Sequence, residues 1–178
     1  MVTSQAAPVI RTDRLRLRPP EPADARRLAE LANDWDVVRM TARMPWPYPP
    51  EEARAFIARV RTNASPDQHT FLIEADGDGP AGLIGFFHEA GQRLPEVGYW
   101  LGRPFWGRGL ATEALTGALL WADTGWRRRA LRSGHFVDNE ASGGVLVKGG
   151  FLYTGEVEQR FSRARGEPVA TRMMVRLA

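Results

Sequence analysis

The segment Glu96–Leu115, EVGYWLGRPFWGRGLATEAL, constrains this chain more than any other stretch. A strand-like run of apolar and aromatic residues leads into a loop carrying Gly107 and Gly109, and an Ala/Leu-rich helix starts directly after it. That order aims backbone N–H groups and the positive end of a helix dipole at one spot, which suits a phosphate. Glycine lets a ligand approach the backbone closely because it has no Cβ. No Gly-Lys-Ser/Thr follows, and Lys148 is the only lysine in the chain, so the loop is not of the nucleoside-triphosphate type. A dinucleotide fingerprint fails as well, because there is no third spaced glycine and no acidic strand end about 20 residues on.

Periodicity supplies the surroundings of this segment. Arg14–Arg18 alternates polar and apolar, as a half-buried strand does. Pro22 and Asp24 open a helix continued by Leu28, Leu31 and Trp35. Residues 34–50 are too broken for a long element and too aromatic for a plain linker. Ala53, Phe56, Ile57 and Val60 place a second helix from near Glu51. Residues 70–75 and 83–87, joined across Asp76-Gly77-Asp78-Gly79, read as a hairpin extended by a strand at 96–101. A helix over about 109–121, a strand over 130–137, a short helix over 140–148 and two strands near 151–157 and 169–177 complete the order. The expectation is an α+β fold: a mixed, mostly antiparallel central sheet with helices on both faces, in a single domain over residues 9–178 behind a flexible tail at 1–8.

Composition narrows the function classes. A chain of 178 residues fits one domain burying roughly 70% of its unfolded surface. It lacks a run of about 18 apolar residues, as a membrane-spanning helix requires, and its first residues do not resemble a secretion signal. With no cysteine there is no disulfide, thiolate metal site or cysteine nucleophile, and a cytoplasmic location is expected. The net charge is only +3. Basic residues are spread along the chain apart from Arg127-Arg128-Arg129, which reads as a solvated helix end, so neither nucleic acid nor membrane is an expected partner. His69, His88 and His135 lack metal-ligand spacing, and no metal is expected.

Taken together, Thr12–Pro19 with Asp24-Ala25, Trp46-Pro47 with Glu51–Ile57, the Glu96–Leu115 block, and Asn139–Ser142 running to Lys148–Phe151 resemble the GNAT N-acetyltransferase superfamily, in particular its ribosomal-protein-alanine (Rim-type) branch. The resemblance implies an acyltransferase that uses acetyl-coenzyme A as acetyl donor and a primary amine as acceptor, with a homodimer as a family expectation. It places the coenzyme pyrophosphate on Trp106, Gly107, Arg108, Gly109, Leu110, Ala111 and Thr112. The pantetheine arm would lie along Tyr99, Trp100 and Leu101, with Asn139 and Ser142 also contributing. Trp35, Trp46 and Tyr48 would cover the acceptor. Two departures stand out: Trp106 replaces the usual Gln or Arg, and the tyrosine that often serves as general acid would fall at Leu146.

The chemistry such a reaction needs marks further residues. An amine must be neutral to attack, and a lysine near pKa 10.4 needs more help than an α-amine near 8. Glu96 is the first candidate base, acting through water, and its other reading is an exposed strand-end carboxylate. His135 is the second candidate, with a structural histidine as its alternative. Ser142 would assist the leaving thiolate or simply stand near a helix N-terminus. Arg103 and Arg108 would either support the phosphates or lie in solvent. Two rival readings remain open here. One is a coenzyme-A-binding sensor without catalysis. The other is an arginine-rich nucleic-acid binder, which predicts steep salt dependence.

Overall fold

The computed structural model describes residues 8–63, 65–89 and 91–178. The expected N-terminal tail lies outside these residues except for Pro8. Eight strands form one sheet: β1 (Ile10–Arg11), β2 (Leu15–Arg18), β3 (His69–Ala75), β4 (Gly79–Phe87), β5 (Glu96–Leu101), β6 (Ala130–Phe136), β7 (Leu152–Ser162) and β8 (Glu167–Leu177), in spatial order 1-2-3-4-5-6-8-7. Every neighbouring pair is antiparallel except β5–β6, which is parallel and registers only at Glu96 opposite Arg132. Beyond that pair the two central strands separate.

Among the described residues five α-helices accompany the sheet: α1 (Ala25–Ala32), α2 (Trp35–Val38), α3 (Pro50–Thr62), α4 (Leu110–Thr124) and α5 (Glu140–Lys148). α1 and α3 bury Leu28, Ala29, Ala53 and Ile57 against Leu72 and Leu83 on one face. α4 lays Leu110, Ala114, Leu115, Ala118 and Leu119 over Leu17, Phe71, Ile84 and Val97 on the other. Alternate residues of a strand face opposite sides, so Leu83 and Ile84 serve the two cores in turn.

Local chemistry sets the helix ends. Asp24 receives Arg18 through both carboxylate oxygens, at 2.8 and 2.9 Å, and accepts the Glu21 N–H at 2.7 Å, so the chain turns sharply into α1. α3 begins at Pro50 in its first turn, where a missing N–H costs nothing, one residue before the expected Glu51. α4 presses so closely on β1 that a Cβ at Gly117 would lie 2.7 Å from the Thr12 methyl.

Three expectations change. The first helix ends at Ala32, so that Trp35 opens the separate short helix α2 instead of continuing it, the closing strands are each 11 residues long, and α4 runs on to Thr124. Arg127–Arg129 therefore lie beyond that helix. Arg127 has a φ of 58° and Arg128 is held to Asp67 at 2.8 Å. Among the described residues no helix is long and apolar enough to cross a membrane.

Candidate functional site

The separation of β5 from β6 opens a cleft of about 940 Å³. Its walls come from Tyr99–Leu101, Phe105–Gly107 with Gly109–Thr112 at the helix start, Val137–Ser142, Val145 and Lys148, and Asp36, Val37 and Arg39–Thr41.

At one end lies the glycine loop. Gly107 and Gly109 have φ of 71° and 75°, conformations that disfavour a side chain. Gly109 caps α4, and the Glu113 N–H returns to its carbonyl at 3.1 Å. Six consecutive N–H groups, those of Gly107 through Thr112, find no acceptor among the described residues. Such a row at the start of a 15-residue helix is an anion cradle. The cradle is braced from behind, where Arg14 donates to the Arg108 carbonyl at 3.0 Å and holds Glu113. The Arg108 side chain points away from the cleft to Asp78 at 2.9 Å, and Arg103 is bound to Asp34 at 2.7 Å. Both are spoken for by carboxylates. Lys148, in the last turn of α5, lines the cleft and has no carboxylate partner among the described residues.

The middle of the cleft is an unpaired strand edge. The Arg132 N–H donates to the Pro95 carbonyl at 2.9 Å, the Ser133 hydroxyl donates to the Val97 carbonyl at 2.8 Å, and the Gly102 N–H donates to Ala81 on β4. By strand alternation the backbone groups of Tyr99 and Leu101 face the cleft, whereas those of Trp100 face β4. Trp106 donates its indole N–H to the Leu101 carbonyl at 2.8 Å, closing that acceptor. Of the tripeptide expected to pair with a bound chain, Tyr99 therefore offers both its groups and Leu101 only its N–H.

Across the cleft, the Asn139 side chain caps α5 by accepting the Ser142 N–H at 3.2 Å. Tyr99 reaches the same turn. Its hydroxyl lies 3.0 Å from Ser142 Oγ and donates to the Ser142 carbonyl at 3.1 Å. Burial pushes the Tyr99 phenol up to about 12, with the Ser142 bond working the other way. Leu146, where the family tyrosine would stand, is fully buried.

Both expected bases have other partners. Glu96 is not an exposed strand-end group: it is only 4% exposed and is gripped by both terminal nitrogens of Arg160, with Arg132 Nε at 3.2 Å. Glu158 completes a quartet by binding Arg132 and Arg160. The bond to Glu96 raises the Arg160 pKa above its ordinary value. Burial pushes the Glu158 carboxyl up, but the two arginines outweigh that and lower it. His135 is enclosed between the Phe136 carbonyl at Nδ1 (2.8 Å) and the Tyr153 hydroxyl at Nε2 (2.9 Å). It is packed so tightly under α5 that a Cβ on Gly143 would come within 2.7 Å of Nε2. Neither residue lines the cleft.

The aromatic segment is split in its roles. Trp35 and Trp46 are half-exposed and meet edge to face at 5.8 Å, outside the cleft lining. Tyr48 is buried between α1 and α3, where burial pushes its phenol up to about 12. The residues of this segment that reach the cleft are Asp36, Val37, Arg39, Met40 and Thr41. Sequence reasoning passed over these and Lys148. The chain's single lysine, directly before Gly149-Gly150-Phe151, was the signal available for Lys148.

The family described as acetyltransferase (GNAT) domain matches residues 14–152. No curated protein matches the chain. Solved structures do. RimL, a ribosomal L7/L12 α-N-protein acetyltransferase in complex with coenzyme A, is 22% identical with a TM-score of 0.80 over 96% of this chain and 98% of its own. A GNAT acetyltransferase from Bacillus anthracis is 20% identical, also at 0.80, over 96% and 98%. Spermidine N-acetyltransferase from Vibrio cholerae, in complex with coenzyme A and spermine, is 20% identical at 0.76 over 93% and 96%. At these identities the likeness is one of fold.

Proposed function

Since the chain belongs to the GNAT acetyltransferase family, we propose that residues 9–178 act as one domain that moves an acetyl group from acetyl-coenzyme A to a primary amine, a protein N-terminus or a small amine, by direct attack on the thioester. The observation that carries this reading is the row of six acceptorless N–H groups, Gly107–Thr112, at one end of a cleft that opens where β5 leaves β6. These groups fit a pyrophosphate, and Lys148 adds a positive charge beside them. Tyr99 offers an N–H and a carbonyl to an extended amide chain, as an added strand would find them. The same strand edge can place an N–H near the thioester oxygen, where negative charge builds. Asn139 orients the α5 turn that carries Ser142 toward the reacting end. The acceptor enters past Asp36, Arg39, Met40 and Thr41.

Proton handling favours an amine of modest basicity. The Glu96 oxygens are engaged by arginines and His135 is enclosed, so the amine loses its proton to water through the open mouth of the cleft. An α-amine near pKa 8 reaches its neutral form at little cost, whereas a lysine near 10.4 does not. The supporting likenesses include one structure that acts on a protein α-amine and one that acts on a polyamine.

Calorimetry with acetyl-coenzyme A, followed by coenzyme A release with a panel of N-terminal peptides, polyamines and lysine-containing peptides, tests the proposal. Binding together with faster turnover of α-amines supports it. Binding without turnover on any amine would make the protein a coenzyme-A-binding module, and no binding would remove the cleft assignment altogether.

A further inference from the structure

The Tyr99–Ser142 contact joins β5 to α5 across the cleft, between residues 43 positions apart. Tyr99 has two acceptors at nearly equal range, the Ser142 carbonyl at 3.1 Å and Ser142 Oγ at 3.0 Å. In one arrangement the phenolic proton lies on the carbonyl and the serine hydroxyl donates back to Tyr99. In the other the phenolic proton lies on Oγ, and the serine proton is free to point into the cleft. The two differ only by hydroxyl rotation, with no heavy atom moved. The carbonyl is not stranded by the change, because within α5 it also meets the N–H four residues on.

We infer that Tyr99 is a positioning residue which, by donating to Ser142 Oγ, turns the Ser142 hydroxyl onto the coenzyme sulfur and stabilises it as a thiolate when the C–S bond breaks. This rests on the coenzyme reading of the cleft. The amine lone pair forms the new C–N bond, the C–S bond breaks with its electron pair going to sulfur, and the proton on nitrogen leaves to water. Coenzyme A departs as the thiolate and is protonated later by solvent. Full proton transfer from the pair is unfavourable, because the phenol lies near 12 and a thiol near 8.5. The pair therefore acts through a hydrogen bond to developing charge, which is stronger than one to a neutral group. A chain of two hydroxyls polarises each link, so the serine donates more strongly with Tyr99 behind it. The role left without a side chain at Leu146 is met one turn earlier on α5 by Ser142, with Tyr99 behind it from the opposite wall of the cleft.

The test titrates the thiol of coenzyme A bound to the intact protein, by thiolate absorbance, and needs no acceptor. In the unaltered protein the bound thiol should titrate about one to two units below its free value near 8.5, the shift expected from one hydrogen bond to a charged group. Tyr99→Phe, which keeps the ring and its packing, should return part of that shift, and Ser142→Ala all of it. The double variant should match Ser142→Ala, because Tyr99 acts only through the serine. With an amine found by the panel, Tyr99→Phe should lower kcat several-fold and leave KM for acetyl-coenzyme A within twofold. The loss should shrink for acetyl donors with more acidic thiols. An unshifted bound thiol in the unaltered protein, or a shift that survives either single variant intact, overturns the inference. Failure of coenzyme A to bind at all would instead overturn the proposed function.

Discussion

Arg160 holds Glu96 with both terminal guanidinium nitrogens, Nη2 to Oε2 at 2.9 Å, across 64 residues of sequence and from beyond the diverging central strands. A carboxylate engaged in this way by two arginines is expected to act as a structural charge rather than as a base. Glu96→Gln leaves Arg160 and Arg132 short of a counter-ion, with Glu158 as the remaining one. Stranding a buried partner costs about 3–5 kcal/mol, and Glu158 places this case at the low end. Chemical denaturation should therefore show a loss of about 3 kcal/mol. Any fall in turnover should be the same factor at every pH. A loss that fades as pH rises through the acceptor's pKa would restore Glu96 as the base.

How far the chain was legible follows the range of the interactions. The strand–loop–helix at residues 96–115 and the Asn139–Ser142 turn are local, and the structure has them where periodicity and capping chemistry put them. Glu96 looked exposed because its partners lie 36 and 64 residues away, and no local pattern announces them. The same pairs disguised β7: Glu158-Gln159-Arg160 is an unbroken polar run without strand alternation, so the strand seemed to stop at 157 when it continues to Ser162. Tyr48 shows the limit of reasoning by resemblance: the resemblance placed it over the acceptor, whereas its backbone N–H donates to Asn33 at 3.0 Å and its ring is buried in the α1–α3 core.

Gly109 supplies the sharpest test of the loop. At φ 75° a β-branched residue is strained, and its Cβ would point toward Arg14 behind the loop, so the substitution acts by distorting the N–H row. Gly109→Val should lose at least about tenfold in acetyl-coenzyme A affinity, equivalent to ~1.4 kcal/mol, while the variant remains folded by circular dichroism. Unchanged affinity by calorimetry would move the phosphate site elsewhere.

Lys148 should act on phosphate as a charge. Lys148→Gln should raise the acetyl-coenzyme A KM about tenfold with kcat nearly unchanged, the pattern of uniform binding. Because the contact is electrostatic and solvent-accessible, the affinity of the unaltered protein should fall with added salt more steeply than that of the variant. Parallel salt dependences would show that Lys148 does not face the phosphates.

Asn139 has a capping role that can be separated from any contact with the coenzyme. Its side chain accepts the Ser142 N–H at 3.2 Å, so Asn139→Ala should cost about 1 kcal/mol of stability. Asn139→Asp retains the cap and should recover that loss. If Asn139 also holds the pantetheine amides through its NH₂ group, Asn139→Asp should still show the raised KM for acetyl-coenzyme A. Recovery of both together would make it a cap alone.

Acid should unlock a pair at the far end of α4 from the cleft-lining residues. Asp123 accepts from Arg176 at 2.9 and 2.7 Å, tying α4 to β8. Those bonds are the main reason the Asp123 carboxyl lies below its ordinary value, with burial opposing them. A carboxyl that is more acidic when folded stabilises the protein above its unfolded pKa, near 3.9. That contribution disappears as pH falls through the folded value, because both states are then protonated. Two charge-assisted bonds at a mostly buried pair are worth about 2 kcal/mol. Asp123→Asn should therefore be less stable than the unaltered protein by about that amount near neutral pH, and the gap should narrow as the pH drops below about 4. Urea unfolding of both proteins across that range measures the difference directly. A gap of constant size would assign the cost to packing and leave the ion pair without a measurable role.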